Sequence, residues 1–343
     1  MRRHVHSCLE MCAGLRLSRR QWMHLFSAGA AGALLATKEA HAGALERVFP
    51  PPPPTVSPIK GVVDFHVHSA PDVFGRSLDD DDVGELAVRK EMGALVLKNH
   101  VFETASRAYI LRKRFPGLQV FGGIVLNGSV GGLNPQAVQW MSRMQGQYGK
   151  VVWLPTIDAD HHVKFFKDAP EGIKVVEGGK PVPALMEIMK ICADNDLILH
   201  TGHSSAEEVL ILANAAQQVG LRKLVVTHAL FSVVDMSIDQ LKQGAQLGAK
   251  FELAFLGTLM GPTAHLPFMT HWKRVSAEDN AAAIKAVGAQ HFVLGTDLGQ
   301  TGNPSHPDGY QMFVQQLEKA GIAKQDIDLI GRVTPGQLLG IAS

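Results

Sequence analysis

Cysteine is nearly absent from this chain of 343 residues, which has three. Cys8 and Cys12 fall in an N-terminal leader, so only Cys192 remains in the body and no internal disulfide can form there. The fold must be held by its core. Cys192 lies on the apolar face of the helical stretch ALMEIMKICA, where a buried structural thiol is expected rather than a nucleophile. An excess of either charge is also missing: the formal net charge is +1, and basic residues do not cluster beyond the leader. That excludes electrostatic binding to a nucleic-acid backbone. Gly-x-Ser-x-Gly does not occur, and the serine at Gly128-Ser129 has no such frame, which removes a Ser-His-Asp hydrolase of that type. The acidic run Asp79 to Asp82 lacks the spacing and central glycine of a calcium loop, so it reads as the start of a helix.

No apolar run reaches the roughly 20 residues that span a bilayer. What the N-terminus does contain is Ser18-Arg19-Arg20-Gln21-Trp22-Met23, a weakly apolar run from Leu25 to Ala36, and then Ala40-His41-Ala42. These predict a twin-arginine signal over residues 1–42 with an A-x-A cleavage site, hence a periplasmic or secreted protein without a membrane anchor after processing. Residues 43–60, with Pro50 to Pro54 and Pro58, read as a proline-rich spacer. The chain is 46% hydrophobic, and the rest of it, 61–343, is long enough for one large α/β domain.

Short apolar runs alternate with helical patterns throughout that domain. Strands are expected near 62–68, 94–100, 118–126, 150–156, 197–202, 223–228, 249–255 and 291–297, with helical spacing between them. Nearly continuous apolar, β-branched runs are the mark of parallel strands buried on both faces. Eight such units predict a (β/α)8 TIM-like barrel rather than an open doubly wound sheet. Helix starts support the boundaries: Ser204-Ser205-Ala206-Glu207-Glu208 and Ser276-Ala277-Glu278-Asp279 look like N-caps followed by acidic first turns.

The first strand carries the chemistry. In Asp64-Phe65-His66-Val67-His68, alternation places His66 and His68 on one side, where two neutral imidazoles can share a divalent ion. Other polar residues fall at strand ends too: Lys98 and His100 after the second, His200 and His203 after the fifth, His228 after the sixth, Asp297 after the eighth. Only a closed barrel brings those ends to one mouth.

This order of motifs, DFHVH, LILHTGH, LVVTH and VLGTD over roughly residues 61–310, resembles the amidohydrolase superfamily. VLKNH and LHTGH also resemble an uncharacterised bacterial amidohydrolase-like family. The resemblance implies one or two divalent ions, zinc first among them, with His66, His68, His200 or His203, His228 and Asp297 as ligands. It implies Asp297 as the acid–base residue, with His228 binding a second ion or polarising the substrate. Strand four, Val151-Val152-Trp153-Leu154-Pro155-Thr156, offers no lysine or glutamate to bridge two ions. Lys98 is the candidate substitute, as a desolvated amine open to carboxylation. Between His200 and His203, the former matches the strand-end position better and the other is left to orient a ligand. Asp72, Arg76 and His100 are assigned to substrate.

The expected function is a metal-dependent hydrolase acting on a C–N, ester or lactone bond of a small molecule, with P–O cleavage ranked last. A metal-dependent decarboxylase or lyase, or an inactive ligand-binding barrel, are the alternatives. The long loops after strands four, seven and eight should shape the pocket. The first holds Gly172 to Val182, read as a hairpin about Gly178-Gly179, and His161-His162, read as an exposed pair.

Overall fold

The computed structural model describes residues 56–341; the expected signal and most of the proline-rich spacer lie outside the described residues. Eight strands form one sheet: β1 (Val63–Val67), β2 (Ala94–Leu97), β3 (Gln119–Val125), β4 (Gly149–Trp153), β5 (Ile198–His200), β6 (Leu224–Val226), β7 (Lys250–Ala254) and β8 (Phe292–Gly295). Each pairs with the next in chain order, and every pairing is parallel. Helices fill the connections, as a right-handed β-then-α winding requires. The expected eight-unit barrel is what the chain forms.

Side-chain alternation divides the core into two shells. Val63, Phe65, Val96, Phe121, Trp153 and Val293 fill the barrel interior. Leu95, Leu97, Val120, Val152, Leu199 and Leu253 face outward to the helices. Cys192 is buried in that outer shell, and burial drives its thiol pKa up, so it is inert. Helices start where capping chemistry allows: Asp79, Ser205 and Ser276 each accept from the backbone N–H three residues on, and each donates its own backbone N–H to the acidic side chain of that residue. Such caps contribute about 1 kcal/mol apiece. The hairpin pairs Val176–Glu177 with Lys180–Pro181 about Gly178 and Gly179, whose φ values of 57° and 74° suit glycine. At the other end of the chain Arg332 donates to the carbonyls of Pro58 and Lys60, and Ile59 is buried, so the last residues of the expected spacer pack onto the barrel.

The seam between β8 and β1 closes differently from the other pairings. A single parallel bridge joins Val67 and Leu298, with His68 N donating to Leu298 O (3.0 Å) and Asp297 N to His66 O (2.8 Å). Below it the Asp64 carboxylate stands in for a ladder, accepting Thr296 N (2.8 Å) and Thr296 Oγ1 (2.7 Å). Above it His306, at the start of the helix His306–Lys319, donates from Nε2 to the carbonyls of both His68 (2.8 Å) and Leu298 (3.0 Å). Side chains thus complete the ring.

Candidate metal centre

Pairing between β1 and β2 slips between Asp64 and Val67. Such irregularities re-aim side chains beside functional sites. Here Phe65 stays in the barrel interior while His66, its neighbour, also turns to the mouth. His66 Nε2 and His68 Nε2 lie 3.3 Å apart, and Asp297 Oδ1 is 3.0 Å from the first and 3.2 Å from the second. An ion with bonds of about 2.0–2.1 Å holds two ligands about 2.9 Å apart at right angles and about 3.4 Å apart at the tetrahedral angle. The three atoms therefore have the spacing of ligands around one ion. Asp297 reaches this place from a left-handed backbone, φ 54°, which aspartate tolerates better than most residues.

Burial sets the protonation of the group. It drives the His66 pKa down to about 3, opposed by Asp297, so the ring is neutral and able to ligate. His68 is held well below its usual range by burial and by Arg76. Burial pushes the Asp297 carboxyl up, while His66 and Lys98 pull it down. Lys98 Nζ sits 3.0 Å from His66 Nε2. Burial lowers its pKa, and Asp297 and Glu252 oppose that.

A second pair lies across the mouth. His203 Nε2 and His228 Nε2 are 3.2 Å apart, again a ligand–ligand spacing, and His228 takes an unusual φ of 29°. His203 Nδ1 lies 2.7 Å from His162 Nδ1. His161 and His162 were expected to be exposed, but His162 is buried on the helix Asp160–Phe166, against Phe166 and Trp272. If His203 ligates through Nε2, its remaining N–H must point at His162, as this contact allows. His200 sits deeper, stacked on Phe65 and tilted against Trp153, and its Nε2 is a buried nitrogen with no partner among the described residues. The structure thus pairs His203, rather than His200, with His228.

The residues assigned to substrate gather at the β1–β2 rim. Arg76 donates from Nε to Asp72 Oδ2 (2.8 Å) and from Nη2 to His68 Nδ1 (3.2 Å). A guanidinium only donates, so this second contact leaves the proton of His68 on Nε2 and must open before that nitrogen can ligate. His100 stacks on His68 with ring centroids 4.9 Å apart, and its Nδ1 is 2.9 Å from Thr156 Oγ1. On the opposite rim Phe231 stacks on His228 at 4.4 Å, and Trp272 turns its edge toward the same ring.

The sequence reading missed Glu252, the middle of β7. A charge set between the apolar Phe251 and Leu253 was the available signal. It is buried, with Oε1 2.6 Å from His66 Nδ1. His306 was missed as well.

Residues 61–252, more than half of the chain, match a family described as a family of unknown function (DUF6282). The chain belongs to that family. No curated protein matches the sequence of this DUF6282 member. Among solved structures it is similar to the organophosphorus hydrolase from Deinococcus radiodurans, with 11% identity, a TM-score of 0.54, and 82% of this chain and 92% of that one covered. It is also similar to an amidohydrolase from Burkholderia multivorans with bound zinc, with 13% identity, a TM-score of 0.53, and coverage of 82% and 99%. At such identities the likeness establishes the fold, which this DUF6282 chain shares with amidohydrolase barrels.

Proposed function

We propose that this protein is an exported, metal-dependent hydrolase of small molecules. The observation that carries the reading is the triangle of His66 Nε2, His68 Nε2 and Asp297 Oδ1, whose edges of 3.0–3.3 Å match the spacing around one divalent ion. His203 and His228 supply a second pair of donors, and Lys98, whose Nζ lies 3.0 Å from His66 Nε2, is the candidate to bridge the two groups as a carboxylated lysine. A zinc-bound relative of the same fold agrees with zinc as the ion. A divalent ion at such a site polarises a carbonyl or phosphoryl oxygen and lowers the pKa of water from 15.7 towards about 7.

The chain's own residues supply the rest. Asp297, its carboxyl pushed up by burial, accepts the proton of the attacking water and returns it to the leaving group. His228 polarises the scissile oxygen or holds the second ion. Arg76, released from His68, can meet an anionic group of the substrate while Asp72 holds its Nε. Phe231 and Trp272 wall the far side and limit water there.

The test is metal analysis of the purified protein with a panel of amide, ester, lactone and phosphotriester substrates, before and after chelation. His66→Ala with His68→Ala should reduce bound metal to a trace while circular dichroism stays that of a folded barrel. Full occupancy in that double variant would overturn the proposed site. Release of carbon dioxide without hydrolysis would move the reading to a decarboxylase.

A further inference from the structure

The acid–base chemistry above leaves Glu252 unused, although it is buried beneath the centre of the mouth. A carboxylate that deep is costly unless its oxygens are satisfied. Oε1 meets His66 Nδ1 at 2.6 Å. Oε2 accepts the backbone N–H of His228 at 3.2 Å, and lies 3.8 Å from His200 Nδ1. One side chain on β7 therefore reaches candidate ligands carried by β1, β5 and the end of β6. Space has been kept for it: a Cβ on Gly295 of β8 would lie 2.8 Å from Glu252 Oε1 and 2.9 Å from His66 Cβ.

We propose that Glu252 is the positioning residue of this centre, fixing His66 as its Nδ1–H tautomer and pinning the His228 backbone in its unusual conformation. The inference rests on the metal reading above. A neutral imidazole has one N–H, and Glu252 when ionised can only accept, so the proton between these two groups then belongs to Nδ1 of His66. Its other nitrogen, Nε2, then keeps a free lone pair directed at His68 and Asp297. The Lys98 Nζ contact with the same nitrogen, 3.0 Å, needs that lone pair too. At His228 the bond falls on the residue with φ 29°, a conformation that persists only where the surroundings enforce it. An orienting carboxylate on a ligating histidine raises its basicity, and its loss typically weakens metal binding about 10–100-fold.

Two measurements test this. In wild-type protein with specifically labelled histidine, nitrogen NMR of the metal-free form should show His66 protonated at Nδ1 and not at Nε2; the reverse tautomer overturns the proposal. Competition of Glu252→Gln with a chromophoric chelator for Zn(II), on protein shown to be folded, should give affinity about 10–100-fold below wild type, with a changed Co(II) absorption spectrum. Glu252→Asp keeps the charge and should recover part of that loss. A merely structural role would lower stability but leave the affinity and spectrum of the folded protein unchanged, and that result also overturns the proposal. If Glu252→Gln does not fold, Glu252→Asp and the tautomer measurement decide. Wild-type protein that takes up neither Zn(II) nor Co(II) sinks the metal reading itself, and the NMR result still settles whether Glu252 sets the tautomer.

Discussion

Replacing Asp297 by asparagine separates acid–base chemistry from architecture more cleanly than any other change at the mouth. Asparagine matches aspartate in size and shares its tolerance for the left-handed backbone, so φ 54° is retained at little cost. The local bonds that place residue 297 are made by its backbone: its N–H donates to His66 O at 2.8 Å, and its carbonyl accepts Gln300 Nε2 at 2.8 Å. Stability should therefore change by about 1 kcal/mol or less, as for substitutions that keep these features. What disappears is the capacity to accept a proton. General acid–base catalysis is typically worth about 10² to 10⁴ in rate, or roughly 2.7 to 5.4 kcal/mol of activation free energy. Because Oδ1 is also 3.0 Å from His66 Nε2, occupancy must be measured and brought to saturation before kcat is compared. The assay is steady-state turnover on whichever substrate the panel yields, across pH, with metal content determined on the same samples. A fully metallated Asp297→Asn variant with near wild-type kcat would refute the assignment of Asp297 as the base.

Three further expectations can be checked independently. If Lys98 bridges two ions as a carboxylated lysine, Lys98→Ala should lower the metal count from two to one or fewer, with added short carboxylic acids restoring some activity; a single ion in the wild type excludes the bridge. Burial holds the His306 pKa down to about 4, against 6.5 when exposed, so the unfolded chain binds more protons between those values. That stabilisation is complete above pH 6.5 and is lost as pH falls towards 4, which makes wild type about 2 kcal/mol less stable at pH 5 than at pH 7.5 on this account. His306→Gln should lose that share of the difference in urea unfolding, and an unchanged pH dependence would clear His306 of it. For export, changing Arg19 and Arg20 to lysine should keep the protein cytoplasmic and unprocessed; a mature product beginning near Gly43 in that variant would remove the twin-arginine reading.

Much of this was legible in the residues because periodicity reports burial directly. Runs such as Leu95 to Leu97 and Val151 to Trp153 are apolar at every position, as only a strand covered on both faces can be. The Ser205 and Ser276 caps were visible because capping is local chemistry within four residues. His66, His68 and Asp297 came through because strand ends converge in a closed barrel. What escaped depends on contacts distant in sequence. Glu252 is a charge whose meaning comes from His66 and His228, and nothing beside it in the chain names them. His162 was taken for a solvated residue because its partners, His203 and Trp272, arrive from other loops. His200 and His203 differ in depth, which the sequence does not show: one ring stacks inside on Phe65, and the other faces His228.

The side-chain seam between β8 and β1 has a consequence for how the centre comes into being. His66 and His68 belong to the first strand, and Asp297 follows the last, so the proposed ligand triangle straddles the one junction that lacks a full ladder. No partial chain can own this site. Every intervening unit must be in place before the two ends meet, and entropy opposes that longest of closures. An ion gripped from both sides becomes a clasp on the ring, since whatever binds only the closed form also stabilises closure. An ion held there would add its binding free energy to a closure that the barrel already completes without it.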